Sequence, residues 1–459
     1  MPQSPRKPTY DELVKMIEAQ QRRIAELERL VEQLRRKGKR QSAPFSKGTR
    51  KAEPKKPGRK PGGAYGRQAT RAVPAKVDRH VVVQCPLFCP KCDGPVRVTG
   101  RAEQYQTDLP RVKPVTTCFE VHFGHCTVCG KYVQGRDRRQ RSDALKVGRV
   151  VLGPGVIGTA AHLNKVGGLS YGKTASVLGR MFGISVSRSG LARALLGLGR
   201  GGEPSYEAVK SQLRASPVVY PDETGWRING ESAWMHVATD GRATTVYAIE
   251  KGRGYQEAAS LLGEDYPGTI GSDGWAPYRK FEKATRQACL GHLLRRCKEM
   301  LETATGRAVR FPRAVKEILK QAFVIRDARD ARTLGPSEVQ TAATKLDLEV
   351  GRLLVGVYSD EANRRLAKHL ETLRGDLFTF LLCPGLEGTN WAAETELRYA
   401  VVNRKTCGGG NRTRSGATAQ AILMTLSRTA TRRGHDDVAL FADLLRVPKP
   451  IVHPLLAAN

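Results

Sequence analysis

The chain opens on a heptad pattern. Leu13, Ile17, Gln20, Ile24, Leu27, Val31 and Leu34 are spaced alternately by four and three residues. Ile17, Ile24 and Val31 fall at a, and Leu13, Gln20, Leu27 and Leu34 at d. Branched residues at a with Leu at d favour a parallel two-stranded coiled coil. The pattern therefore predicts a coiled-coil helix within residues 1–36 and a homodimer formed through it. Gln20 costs seam stability and sets the register. An amphipathic helix docked on its own domain is the competing reading.

The apolar pattern then stops. Residues 35–79 hold 16 Lys/Arg against only Glu53 and Asp78, with repeated Pro and Gly. Such a segment buries too little apolar surface to fold alone, so 37–79 reads as a basic, disordered linker. Alternation returns over Arg111 to His122, consistent with a small β-ribbon in an 80–140 domain. Residues 145–205 read as helical. A helix beginning near Ser170, a turn at Gly183 and a second, Ser-capped helix after Ser187 make a helix-turn-helix-like pattern. A plain helical hairpin competes with it. Gly197, Gly199 and Gly202 match Gly-x-Gly-x-x-Gly, but they follow a helix rather than a strand, which argues against a dinucleotide site.

From Pro217 the period changes to that of strands. Pro217 to Trp226 reads as a buried strand ending in an acid, and Ser232–Asp240 with Ala243–Glu250 as a hairpin around Gly241. Gly268 to Trp275 is a short strand ending in a second acid, and Arg286 to Leu290 a fifth strand leading into a helix. Residues 297–388 are predicted to be a helical insertion, and 436–459 a C-terminal tail. A further helix follows Asn390. The expected class is multidomain α/β, with an RNase H-like α/β catalytic core formed by 214–296 and 389–435.

Charge adds a partner. The 459 residues include 77 Lys/Arg and 44 Asp/Glu, a formal net of +33. Residues 1–149 alone carry 34 against 14. An excess of this size points to a polyanion, most commonly nucleic acid. The Lys55-Lys56-Pro57-Gly58-Arg59-Lys60-Pro61-Gly62-Gly63 stretch suits an A·T-rich minor groove, although a solvated linker has the same composition. No uncharged apolar run is long enough to span a bilayer, and the N-terminus lacks the apolar core of a signal peptide. The expected location is cytoplasmic and nucleoid-associated, with reduced or metal-bound cysteines.

Two Cys-x-x-Cys knuckles stand out. Cys89 and Cys92 are followed by Asp93-Gly94, and Cys126 and Cys129 by Gly130. Together they offer four thiolates for a structural, tetrahedral Zn2+. Unmetallated core cysteines are the alternative, and His80, Cys85 and Cys118 are nearby spares.

Asp222 and Asp273 are each expected to close a strand, where chemistry gathers in open sheets. With one further carboxylate they can hold two hard cations, Mg2+ or Mn2+, suited to phosphodiester chemistry. The third acid should come from the helix after Asn390, as Glu394 or Glu396. Trp391 beside it could stack on a displaced base or be a buried structural residue. Cys289 and His292 read as core or supporting residues. The basic, Gly-rich run from Arg404 to Arg414 suits phosphates, or is a plain surface loop.

These residues together resemble the insertion sequence 66 family of transposases. The resemblance is carried by the coiled coil, the Gly-Arg-Lys-Pro-Gly-Gly linker, the paired knuckles, Asp222-Glu223-Thr224-Gly225-Trp226 and Ser272-Asp273-Gly274. It continues through Cys289-Leu290-Gly291-His292-Leu293-Leu294-Arg295, Ala392-Ala393-Glu394, Arg404-Lys405 and Ser415-Gly416-Ala417. It implies a DDE transposase that binds its element's terminal repeats and catalyses metal-dependent cleavage and strand transfer. The implied catalytic acids and magnesium ligands are Asp222, Asp273 and Glu394. Implied partners are DNA at element ends and target, further copies of the chain, and accessory proteins encoded by the same element. The chain departs from the family pattern at Trp391 and Thr395, which keeps Glu396 in reserve. Competing readings are a catalytically inactive DNA-binding derivative and another RNase H-like nuclease or integrase.

Overall fold

The computed structural model describes residues 9, 11, 16–21, 23–28, 71–109, 112–145 and 150–457. Residues 16–21 and 23–28 form helix α1, on which Ile17, Ile24 and Leu27 are each more than half exposed. The seam residues Leu13, Val31 and Leu34 lie outside the described residues, as does the linker up to residue 70. The chain divides into two units, Phe45–Pro114 and the remainder.

In the Phe45–Pro114 unit, a bridge between Phe88 and Pro95 closes the first knuckle. In the larger unit, β1 (Phe123–His125) and β2 (Tyr132–Gln134) form an antiparallel pair around the second knuckle.

Four helices follow. Helix α2 (Pro154–Ala161) runs into a π-helical turn at His162–Val166, and α3 (Tyr171–Phe182), α4 (Arg188–Gly201) and α5 (Glu203–Ala215) come next. The expected helix–turn–helix order is present. Ser170 Oγ accepts from Lys173 N to start α3, the Ile184 amide donates to Leu178 O to close it, and Ser187 Oγ accepts from Gly190 N to start α4. The Gly-x-Gly-x-x-Gly string lies in α4 and its cap. A Cβ at Gly199 would stand 2.7 Å from Ala419 Cβ, and one at Gly202 2.7 Å from Leu426 Cδ1. These glycines therefore admit a neighbouring helix rather than a phosphate.

The centre of the unit is a mixed five-stranded sheet in the order β5-β4-β3-β6-β7. Its strands are β3 (Val218–Ile228), β4 (Glu231–Thr239), β5 (Thr245–Glu250), β6 (Thr269–Ser272) and β7 (Thr285–Ala288). β3, β4 and β5 pair antiparallel, β6 is parallel to β3, and β7 is parallel to β6. Helix α6 (Tyr255–Leu262) links β5 to β6. β3 does not end at Asp222, as the pattern suggested, but runs on to Ile228. Asn229 and Gly230, at φ +51° and +81°, turn it into β4, and Asn-Gly is a sequence signature of such tight turns. The β6 partner leaves β3 after Val219. Asp222 thus sits mid-strand on one side and beyond the last β6 pair on the other, where a crevice opens at the strand ends.

Helices cover both faces of the sheet. One core joins Tyr220, Trp226, Met235, Val237, Tyr247 and Ile249 to helices α7 (Leu290–Thr303), α8 (Arg310–Asp330), α9 (Pro336–Leu354), α10 (Glu361–Leu373) and α12 (Trp391–Thr406). Short α11 (Thr379–Leu382) lies between α10 and α12. The other core joins Val219, Ala238, Val246, Ala248 and Ile270 to α4, α5 and α6. The alternation of these strand residues between faces is the period-two rule in operation. The insertion expected over 297–388 is helical.

Helix α13 (Arg414–Arg432) lies along the β5 edge. Thr425 and Thr429 hydroxyls accept from the Tyr247 and Thr245 amides at 2.9 and 3.2 Å, and Thr429 donates to Thr245 O. Side chains thus satisfy groups that an open sheet edge would leave unpaired. The segment expected as a tail carries helix α14 (Asp437–Arg446), whose Leu440, Phe441 and Leu444 are buried in the second core. Among the described residues no helix is long and apolar enough to cross a membrane.

Candidate active site

Asp222 projects from β3 on the Tyr220 and Trp226 face, toward α12. One of its carboxylate oxygens accepts from the Glu223 amide at 2.8 Å. Burial pushes its pKa up to about 7, and the nearby charges of Glu223, Asp273 and Glu394 add to the rise. Negative charge therefore converges here without enough compensation. Asp273 follows β6 directly, and its carboxylate accepts from Trp275 N at 3.0 Å, which shapes the turn. Glu394 lies in the first turn of α12.

The start of α12 is fixed by Asn390. Its side-chain amide donates to Pro221 O at 2.9 Å, beside Asp222, and its backbone N–H donates to Cys289 Sγ at 3.1 Å. Trp391, where the chain departs from the family pattern, is 68% exposed and leaves the helix undisturbed. The buried structural reading of this tryptophan is thereby corrected, because α12 packs through Ala393, Leu397 and Ala400 instead.

Glu394 and Glu396 part company. Glu396 is fully buried. Arg428 contacts both its oxygens at 2.8 and 3.0 Å, Arg432 adds a 2.8 Å bond and Tyr247 OH a 3.1 Å bond. Burial opposes its ionisation, but the two guanidinium groups outweigh that and hold its carboxyl below the usual range. Glu394 has weaker company. Its oxygens stand 3.5 Å from His292 Nε2 and 3.9 Å from Arg295. Positions two apart on a helix point about 200° away from each other, so only Glu394 can face the crevice.

Glu223, next to Asp222, is also neutralised. Arg253 Nε binds it at 2.6 Å and Tyr278 OH at 2.9 Å. The Arg253 guanidinium is stacked between Trp275 at 4.1 Å and Trp234 at 4.9 Å. Trp275 Nε1 also donates to Arg253 O. Because Trp275 lies two residues after Asp273, this cluster ties the β3 acids to the β6 turn. Arg253 carried no local signal in the sequence.

Among the described residues one group of three metal-capable side chains stands within 4.8 Å of one another: Cys289, His292 and Glu394. Asp273 and Glu394 come close enough to influence Asp222, but the three acids do not form such a group.

Each knuckle, taken by itself, has the same turn. Cys89 N donates to Gly94 O and Asp93 N to Cys89 O; Cys126 N donates to Lys131 O and Gly130 N to Cys126 O. Asp93 and Gly130 occupy the matching left-handed position, at φ +59° and +67°. Backbone amides of Lys91 and Cys92 lower the Cys89 thiol pKa, and those of Cys129 and Val128 lower that of Cys126. Such amides favour thiolates, the form a metal takes. Cys85 and Cys118 are exposed and free of disulfides.

The β-β-β-α-β-β order brings together acids from the middle of one strand, the end of another and a later helix. A family model described as "Transposase IS66 family" matches residues 149–419, which spans the helices, the sheet and Glu394. The chain belongs to this transposase family, which implies action on DNA. No curated protein matches it.

Proposed function

We propose that the chain is a DDE transposase with an RNase H-like core, and that Asp222, Asp273 and Glu394 are its catalytic acids. The observation that carries this reading is the family match over 149–419, a stretch that includes β3, β6 and the start of α12 with Asp222, Asp273 and Glu394 on them; burial and the other two acids push the Asp222 pKa up in keeping with it. The sheet order, with three antiparallel strands followed by two parallel ones, supports the same fold.

The donor set is all oxygen, which suits Mg2+ or Mn2+. When bound, such ions would activate a water or a 3′-hydroxyl of the DNA as nucleophile and stabilise the leaving oxygen. In this reading Asp222 and Asp273 would hold them from adjoining strands and Glu394 from α12. Asn390 fixes α12 against β3, and Arg253 with Glu223 fixes the Asp222 strand to the Asp273 turn. The exposed face of Trp391 is open to a displaced base.

DNA binding is assigned to the basic N-terminal half and the α3–α4 pair, dimerisation to the α1 seam, and structural zinc to Cys89, Cys92, Cys126 and Cys129. Element ends, target DNA and further copies of the chain are the partners in this scheme.

The test is cleavage and strand transfer on terminal repeats recovered from the flanks of the gene. Activity should require Mg2+ or Mn2+, and binding should fall steeply with salt through counterion release. Undiminished turnover by Asp222→Asn, Asp273→Asn and Glu394→Gln would overturn the DDE assignment.

A further inference from the structure

Glu394 belongs to two donor sets at once. One is the oxygen set with Asp222 and Asp273. The other is chemically different. Cys289 caps the start of α7, and His292 lies in its first turn. Cys289 Sγ, a His292 ring nitrogen and a Glu394 oxygen all stand within 4.8 Å of one another.

One spacing within this second set is that of two ligands on a single ion. Zinc binds nitrogen and carboxylate oxygen at 2.0–2.2 Å, so two such ligands on one ion stand about 3.4 Å apart. His292 Nε2 and Glu394 Oε1 are already 3.5 Å apart. That is long for a hydrogen bond between them. Cys289 is buried, and the Asn390 amide donates to its sulfur at 3.1 Å, as outer partners of metal-bound thiolates do. His292 Nδ1 is buried without a hydrogen-bond partner among the described residues, so a ligating Nε2 lacks the outer partner that such rings usually have. Arg295 opposes a cation, but at 3.9 Å it approaches the other carboxylate oxygen.

A sulfur–nitrogen–oxygen set prefers borderline cations, while Mg2+ takes oxygen ligands. We propose that Cys289, His292 and Glu394 form an inhibitory zinc site. An ion there takes the Cys289 thiolate, releasing its proton, and keeps its fourth position for water. It withdraws Glu394 from Asp222 and Asp273 and so arrests cleavage. The inhibition rests on the assignment of Glu394 as third acid; the metal binding does not.

The test uses the full chain with cobalt(II) as probe, because cobalt–thiolate absorption reports a bound sulfur. The knuckle cysteines also take cobalt, so the readout is the difference between the unaltered chain and Cys289→Ser. His292→Asn, at a half-exposed position, serves as a second variant. Each should lose one cobalt equivalent or bind it far more weakly. Loss of an outer partner alone costs about 10–100-fold in affinity, so loss of a ligand should cost about 100-fold or more.

Cleavage is then followed at fixed magnesium with rising zinc, each protein normalised to its own zinc-free rate. The unaltered chain should be arrested, and both variants should need about 100-fold more zinc for half-inhibition. Equal cobalt content in all three proteins overturns the site. A lost cobalt equivalent with no zinc inhibition of the unaltered chain overturns the inhibitory role. Failure of the Glu394 assignment has a separate signature, namely cleavage by Glu394→Gln without zinc.

Discussion

β3 and α12 each carry two acids close in sequence, and the structure treats the members of each pair oppositely. On β3, Glu223 is held by Arg253 and Tyr278 while Asp222 gathers like charge. On α12, Glu396 is enclosed by Arg428, Arg432 and Tyr247 while Glu394 meets only longer contacts. Strand alternation separates the first pair, and the helical period separates the second. The lesson is that an acid facing the interior of this sheet comes with its own cation, and an acid facing the crevice does not. The less compensated members, Asp222 and Glu394, are the ones proposed above as metal ligands.

The largest effect should come from breaking the crevice side. Asp222→Asn, Asp273→Asn and Glu394→Gln should each reduce cleavage below detection in a gel assay while leaving DNA binding largely intact. Cleavage by Glu394→Gln, with Glu396→Gln folded but inactive, would reverse the assignment on α12.

The interior side should respond in stability. Glu396→Gln leaves Arg428 and Arg432 with a neutral partner, and breaking a buried ion pair costs about 3–5 kcal/mol. Chemical denaturation should read this loss directly. A Glu396→Gln protein as stable as the parent would show that the two acids on α12 are not distinguished by their partners.

Asp222 should do the opposite in metal-free protein. Its carboxyl sits at about 7 in the folded chain against an ordinary 3.8. Ionising it at neutral pH therefore costs the folded state up to about 4 kcal/mol, while below pH 4 both states are protonated and the cost vanishes. Asp222→Asn should raise the melting temperature at pH 7–8, less at pH 5–6, and not at pH 3–4. Added Mg2+ should shrink the gain by stabilising the parent alone.

The smallest effect concerns a third pair of neighbouring acids, Asp436 and Asp437. Asp436 caps α14, whereas Asp437 is buried against His162 at 2.8 Å and against the Ser427 hydroxyl. Burial opposes the Asp437 charge, but His162 and Ser427 lower its pKa overall, and the hydrogen bond to Asp437 raises that of His162. The Asp437 contribution is lost as pH falls below the usual carboxylate range. The His162 contribution is lost as pH rises past the usual imidazole value. His162→Gln should therefore lower the melting temperature most between about pH 4 and 6.5, with the gap closing on either side.

Much of this molecule was legible in one dimension. The change of period at Pro217, the hairpin around Gly241, the acid at the end of β6 and the helix after Asn390 all follow from local patterning and turn chemistry. The strand was read as stopping at Asp222, and the Asn229-Gly230 turn that ends it at Ile228 was not read. The family resemblance, carried by several separate motifs, agrees with the family match over 149–419. The tertiary structure decided which member of each acid pair is spent on a cation. Arg253 lies 30 residues from Glu223, and Arg428 and Arg432 lie 32 and 36 from Glu396. It also decided that Trp391 faces solvent and that Glu394 meets Cys289 and His292. Periodicity reports which face of an element is apolar, but the partner of a charged side chain is chosen by packing between elements distant in sequence.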